Sequence, residues 1–228
     1  MEMPQIIEKN KNAIVLIDLQ KPGQGTQKQI SIRGTGFIIS TDGKFITNAH
    51  VYKQIPENEL EYLGVLMPGK TDEKNSTQYD RFSVKLLKID EENDLALMQI
   101  IDDKKFKTII AIGNSEIVQE GEKVIYIGYP LATEMLALGF GITMTTNECI
   151  ISSIKRRGID GSLHFFLIDT HANNGSSGSP IFSENGEVVG VVSGNISTPI
   201  PGPNGQMVRI PANIGICRPA KYIENLLK

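Results

Sequence analysis

Three short strings in this chain carry the residue types that acyl-transfer chemistry needs. Asn174-Gly-Ser-Ser-Gly-Ser-Pro180, set between two stretches that read as strands, has the form of a loop presenting a serine hydroxyl. The glycine two residues before Ser177 permits a tight turn that aims the amides of Gly175 and Ser177 at one point, an anion site. Gly/Ser-rich turns are plain connections in many proteins, so the string gains its weight from two others upstream. Thr47-Asn-Ala-His50-Val51 supplies a base, and Asn93-Asp94-Leu-Ala-Leu97 supplies a carboxylate. A serine hydroxyl is a weak nucleophile at neutral pH and needs an adjacent base. An imidazole can accept that proton and later deliver it to the leaving amine. His50 stands after a strand and before a short helical turn, whereas His164, within Leu163-His-Phe-Phe-Leu-Ile168, reads as a core or barrel-surface residue. A solvated acidic turn would explain any one carboxylate of Asp90-Glu-Glu-Asn-Asp94, but the apolar strand opening at Leu95 places Asp94 at the edge of the core. There it could accept a hydrogen bond from His50 and fix the ring's tautomer.

The order His, Asp, Ser along the chain departs from the subtilisin-like order and from that of the α/β-hydrolases. With Gly34-Thr-Gly-Phe-Ile38, Ile46-Thr-Asn-Ala-His50, Asn93-Asp-Leu-Ala-Leu97, Gly175-Ser-Ser-Gly-Ser-Pro180 and Asn213-Ile-Gly215, the chain resembles trypsin-like peptidases of the bacterial branch, the HtrA-like and glutamyl-endopeptidase-like proteins. These pieces span residues 34 to 215. The resemblance implies an all-β fold of two six-stranded antiparallel barrels, chymotrypsin-like, with a short C-terminal helix. One peptidase domain would cover 1–228, with a first barrel over 12–110 carrying His50 and Asp94. A second barrel over 115–217 would carry Ser177, and the helix would follow over 219–228.

The activity implied is that of a serine endopeptidase working through His50, Asp94 and Ser177 and an acyl-enzyme, with the amides of Gly175 and Ser177 as the oxyanion hole. A catalytically silent binding or regulatory protein on the same scaffold is the alternative, since fold does not guarantee chemistry; an esterase or self-cleaving protease is a third. The family's pocket positions are His171, Ala172 and Asn173, then Val192, Ser193 and Gly194. No aspartate lies six residues before Ser177, which disfavours Lys or Arg before the scissile bond, and Val192 stands where glutamyl endopeptidases place a histidine. A small or medium apolar side chain is expected there. His171 either floors the pocket or points away. Ser193 and Gly194 would pair with extended substrate as an added strand.

The residue before Ser177 is Ser176 where trypsin has aspartate, so activation by a new amino terminus is not expected. The loop is either preformed or ordered by the apolar segment Tyr129 to Phe140, which corresponds to an activation loop in HtrA proteins. A PDZ module like that of HtrA proteins is not expected, because the sequence stops about ten residues past Pro219. HtrA proteases often form trimers, but no aromatic N-terminal segment here supports one, and the oligomeric state stays open.

The elements that must position these residues read as short β-branched runs split by turns. They cover Asn12 to Leu19, Gln29 to Ser40, Phe45 to Thr47, Phe82 to Ile89, Leu95 to Ile100 and Lys123 to Ile127. A second series covers Gly141 to Thr146, Cys149 to Ile154, Leu163 to Thr170, Pro180 to Phe182, Val188 to Ser193 and Gln206 to Ile216. Asp42-Gly43 and Asn185-Gly186 favour the positive dihedrals of two-residue hairpins. Ala49 to Ile55 predicts one short helical turn, and Pro219 to Leu227 a terminal helix with proline in its first turn.

A formal net charge of −3 gives no field that argues for nucleic acid or anionic membranes, and the basic cluster Lys155-Arg156-Arg157 reads as a hairpin tip. No apolar run approaches the roughly 20 residues of a membrane span. Met1-Glu-Met-Pro4 lacks the features of a secretory signal, so a cytoplasmic protein is expected, although a trimmed secreted or periplasmic form would look the same. Cys149 and Cys217 sit in apolar, strand-like sequence and are expected to be reduced and buried rather than joined. The three histidines and two cysteines show no zinc spacing, so neither metal nor other cofactor is expected, and the partner implied is a polypeptide substrate.

Overall fold

The computed structural model describes residues 1–23, 28–72, 77–158, 160–202 and 206–228. Its strands close into two six-stranded antiparallel barrels, followed by a short C-terminal helix. The first barrel comprises β1 (Ile14–Pro22), β2 (Lys28–Ile38), β3 (Lys44–Thr47), β4 (Leu63–Thr71), β5 (Thr77–Asp90) and β6 (Leu95–Ile100), closed in the order β1-β2-β3-β6-β5-β4. The second comprises β7 (Lys123–Gly128), β8 (Thr145–Arg156), β9 (Leu163–Ile168), β10 (Pro180–Phe182), β11 (Val188–Pro201) and β12 (Met207–Pro219), closed as β10-β11-β12-β9-β8-β7. Helices are α1 (Met3–Asn10), α2 (Ala49–Lys53), α3 (Ala132–Ala137) and α4 (Lys221–Leu227).

Closure pairs the strands' main chains, and the apolar side chains then decide which face turns inward. One large cluster fills the first barrel with Ile14, Leu16, Phe37, Phe45, Leu95 and their neighbours, and it continues into Ile125, Ile127 and Phe182 of the second barrel. A smaller cluster inside the second barrel holds Tyr126, Phe166, Ile181, Cys149 and Cys217. The interface between the barrels therefore belongs to the same apolar body as the first core.

Several elements differ from the sequence reading. β4 was not expected, because Gly64, Pro68 and Gly69 break its apolar run. The structure accommodates the proline because β1 pairs with β4 only over Leu63–Leu66, so Pro68 lies where β5 is its sole strand neighbour and one amide is dispensable. The two strands expected at 141–146 and 149–154 are one, β8, paired without a break to β7 from Thr145 to Ile150. Twelve strands result among the described residues, as many as expected, through one omission and one needless division. Pro219 closes β12, and the terminal helix starts two residues later at Lys221. Helices α1 and α3 were also unforeseen; α1 opens with a capping box between Glu2 and Gln5 and carries proline in its first turn. The chain reverses at both expected places, but not through two-residue hairpins: Gly43 N donates to Ser40 O and Gly186 N to Ser183 O, and only the glycines, Gly43 and Gly186, take positive φ.

Candidate active site

His50 lies in the five-residue helix α2, directly after β3, with Asn48 at the N-cap. An asparagine there ordinarily accepts a hydrogen bond from an amide of the first turn. In this protein the two loops cap each other instead. Asp94 Oδ1 accepts the His50 amide at 3.0 Å, and the fully buried Asn48 donates through Nδ2 to the Asp94 carbonyl at 2.9 Å. Asp94 has φ +52°, in the left-handed region that Asp and Asn tolerate better than most side chains. Its carboxylate faces the ring, with Nδ1 of His50 2.9 Å from Oδ2 and 3.0 Å from Oδ1. The Ser193 hydroxyl also donates to Asp94 Oδ2. Burial by itself would raise the Asp94 carboxyl, but the bonds from the His50 ring and Ser193, with the charge and amide of His50, outweigh it and hold the group below its ordinary value.

The Ser177 loop is built around a turn in which Ser176 N donates to Asn173 O at 2.9 Å. Gly175, third in that turn, has φ +91°, as a type II turn requires. The Asn174 carbonyl is held on the outer side by Leu131 N at 2.7 Å. In a trans peptide the N–H opposes the carbonyl, so the Gly175 N–H points away from Leu131. Among the described residues neither the Gly175 nor the Ser177 amide donates to a protein acceptor. A methyl group at Gly175 would sit 2.3 Å from the Tyr129 carbonyl. Thr35 of β2 ties this loop to the first barrel. Its amide donates to Ser177 O at 2.8 Å, its hydroxyl donates to Gly175 O at 2.7 Å, and the same hydroxyl accepts from Tyr129 N at 3.1 Å. Leu131 of the 129–140 segment thus holds one of the loop's carbonyls.

A cleft of about 500 Å³ brings together His50, Ser177, Gly175, Ala172, Asn173, Ser193 and Gly194. Asp94 lies behind His50, and the two side chains are 17 % and 33 % exposed, respectively. The cleft excludes two expected residues. Val192 is fully buried in the second core, because it precedes the register shift after which β11 turns toward the cleft. The His171 side chain is exposed and absent from the cleft lining, while its carbonyl accepts from Tyr126 Oη at 3.0 Å. The Ser177 hydroxyl donates to the Ser193 carbonyl at 3.4 Å, and among the described residues no hydrogen bond joins it to His50. Such contacts are often long before substrate is bound. Asn48, Arg33, Gln54 and Asn195 went unnoticed in the sequence, although the last three line the cleft. Among the described residues no group of three or more His, Cys, Asp or Glu side chains could hold a metal ion. No helix among them is long and apolar enough to cross a membrane.

Comparison with known proteins finds the family described as "Trypsin-like peptidase domain" over residues 34–191. The chain is 36 % identical over 191 residues to magnetosome formation protease MamE of Paramagnetospirillum magneticum, covering 82 % of this chain and 22 % of that protein. It is 31 % identical over 210 residues to a probable periplasmic serine endoprotease, DegP-like, of Brucella suis, covering 91 % of this chain and 35 % of that protein. Serine protease HTRA1A of Danio rerio is 29 % identical over 206 residues, covering 86 % of this chain and 38 % of that protein. The chain therefore spans well under half the length of these curated relatives.

Proposed function

The chain belongs to the trypsin-like peptidase family, and from that premise we propose that it is a serine endopeptidase in which Ser177 is the nucleophile, His50 the general base and Asp94 the group that orients the imidazole. Ser177 Oγ attacks the substrate carbonyl carbon as its proton passes to His50 Nε2, and the carbonyl becomes an oxyanion facing the amides of Gly175 and Ser177. The C–N bond breaks as His50 returns the proton to the leaving amine. Water then attacks the ester carbon, loses a proton to His50 and releases the acid as Ser177 Oγ regains its hydrogen. The observation carrying this reading is the pair of unpartnered amides beside a hydroxyl, in the same cleft as an imidazole held by a half-buried carboxylate.

Ala172, Asn173, Ser193 and Gly194 present small or neutral groups to the side chain preceding the scissile bond, which favours a small or medium apolar residue. Ser193–Asn195 offer main chain to about three substrate residues before that bond, one for each enzyme residue. The acting unit is the pair of barrels together, since each contributes to the cleft. A second reading, a silent binding protein on the same scaffold, is favoured by one observation, the missing Ser177–His50 hydrogen bond. A fluorophosphonate probe separates the two. It should label the native chain at Ser177, and neither label nor peptide cleavage should survive in Ser177→Ala. A folded chain that is never labelled would assign the silent role.

A further inference from the structure

β11 does not end at the cleft. Ser193, Gly194 and Asn195 line the groove, and the same strand continues to Pro201 beside β12 as a two-stranded ribbon. On the other edge of β11, β10 and the residues before it reach only as far as Val192, and among the described residues no strand pairs with that edge from Ser193 onward. Register decides which groups face it. Gly202 N donates to Gln206 O at 2.7 Å, so these two residues form a hydrogen-bonded pair. Antiparallel pairs alternate between bonded and non-bonded. Ile200–Val208 and Thr198–Ile210 are therefore bonded, while Pro201–Met207, Pro199–Arg209 and Ser197–Pro211 are not. Each non-bonded pair contains a proline, where the missing N–H costs the ribbon nothing. Ser197 thus turns both N–H and carbonyl to the open edge, whereas Pro199 and Pro201 offer a carbonyl alone.

The ribbon also carries an apolar face. Ile196, Ile200, Val208 and Ile210 are 40, 37, 45 and 48 % exposed, and cross-strand pairing sets Ile200 against Val208 and Thr198 against Ile210. A two-stranded ribbon with uncovered apolar side chains is marginal until something packs on it.

We propose that this open edge is a second recognition site for the substrate polypeptide, one that accepts the segment lying further before the scissile bond. Substrate leaving the cleft continues as an added strand, bonds its main chain to Ser197, rests alternate apolar side chains on the Ile196–Ile200 face, and separates from the ribbon at Pro199. The assignment rests on the peptidase reading of the cleft. The occupant is the chain already in the cleft because edge and cleft are one uninterrupted strand, and the prolines that remove donors beyond Ser197 oppose edge pairing between copies. Residues four and five before the scissile bond reach Ser197, and residues six and seven meet Pro199.

The test uses acetylated polyalanine peptides ending in valine p-nitroanilide, with three, five or seven residues before the scissile bond. kcat/KM should rise about tenfold from three residues to five, each of two new main-chain hydrogen bonds contributing roughly threefold, and change less than about twofold from five to seven. The five-to-three ratio should fall to about threefold in Ser197→Pro, which removes the N–H and keeps the carbonyl, and be reduced in the Ile196→Ser, Ile200→Ser double variant, with circular dichroism establishing that both are folded. The same peptides binding to Ser177→Ala, followed by isothermal titration calorimetry, should show the same dependence on length. Length dependence in binding without hydrolysis by the wild type would support the ribbon site and overturn the peptidase reading. Equal rates and affinities at all lengths, or a steady rise through seven residues, would overturn the ribbon site. Dimers in sedimentation that Ser197→Pro abolishes would give the edge to a second copy and overturn it likewise.

Discussion

At the scale of single residues, Asp94 is held through its main chain as well as its carboxylate. Asn48 keeps the Asp94 carbonyl in place while the Asp94 side chain caps the helix that carries His50. Asn48→Ala should therefore lower kcat by about tenfold with KM little changed, the loss of one buried hydrogen bond that acts on geometry. Asp94→Asn should lose about 10⁴ in kcat, as a triad deprived of its carboxylate does. Asparagine tolerates the left-handed backbone too, so that variant should keep the wild-type circular dichroism spectrum. The proposed trio of His50, Asp94 and Ser177 could be named from the sequence because the chemistry limits which residue types can serve and their neighbours are characteristic. The Asn48 contact joins loops 46 positions apart and leaves no periodic trace. Val192 was misplaced because the irregularity between Val192 and Gly194 determines which β11 side chains face the cleft, and such a shift cannot be read from alternation.

At the scale of elements, strand patterns succeeded where alternation was unbroken and failed where proline or glycine had a local licence. β4 shows this directly, since its proline stands beyond the reach of β1. The long arm of β11 was cut short at Ser193 in the sequence reading, because its outer half lacks the apolar alternation of a strand packed on a core, whereas β12 was read from Gln206 to Ile216 with its arm included. The cysteines, by contrast, were placed correctly in apolar strands: Cys149 in β8 and Cys217 in β12 are both free and buried. Burial, with the nearby charges of Asp169 and Glu148, pushes the Cys149 thiol up to about 12, and burial raises Cys217 well above its ordinary value. Neither is a nucleophile at physiological pH. Iodoacetamide at pH 8 should leave both unmodified in the native chain and alkylate both in urea; rapid native alkylation of either would contradict the packing of the second barrel.

At the scale of the whole molecule, the two barrels share one apolar cluster, and α4, which follows the second barrel, packs on β5 and β6 of the first. Lys88 Nζ reaches the Asn225 carbonyl at 3.0 Å, and Arg157 of the second half pairs with Glu92 at 2.8 Å. Such sharing predicts a single cooperative transition in urea, with fluorescence and circular dichroism midpoints coinciding. Separate midpoints would show the barrels to be independent. The midpoint should also decline on acidification. Asp94 titrates lower in the folded chain than in the unfolded one, so its contribution is complete above the ordinary carboxylate range and vanishes as pH falls through the lowered value. The Asp94→Asn variant should show a shallower decline. β12 is the last of the second barrel's six strands to be made, and it joins β11 to β9 to close the barrel that supports Ser177. During translation, then, a nascent chain can carry both His50 and Ser177 outside the ribosome and still be harmless to its neighbours, because the proposed cutting centre waits for the final strand to be threaded into place.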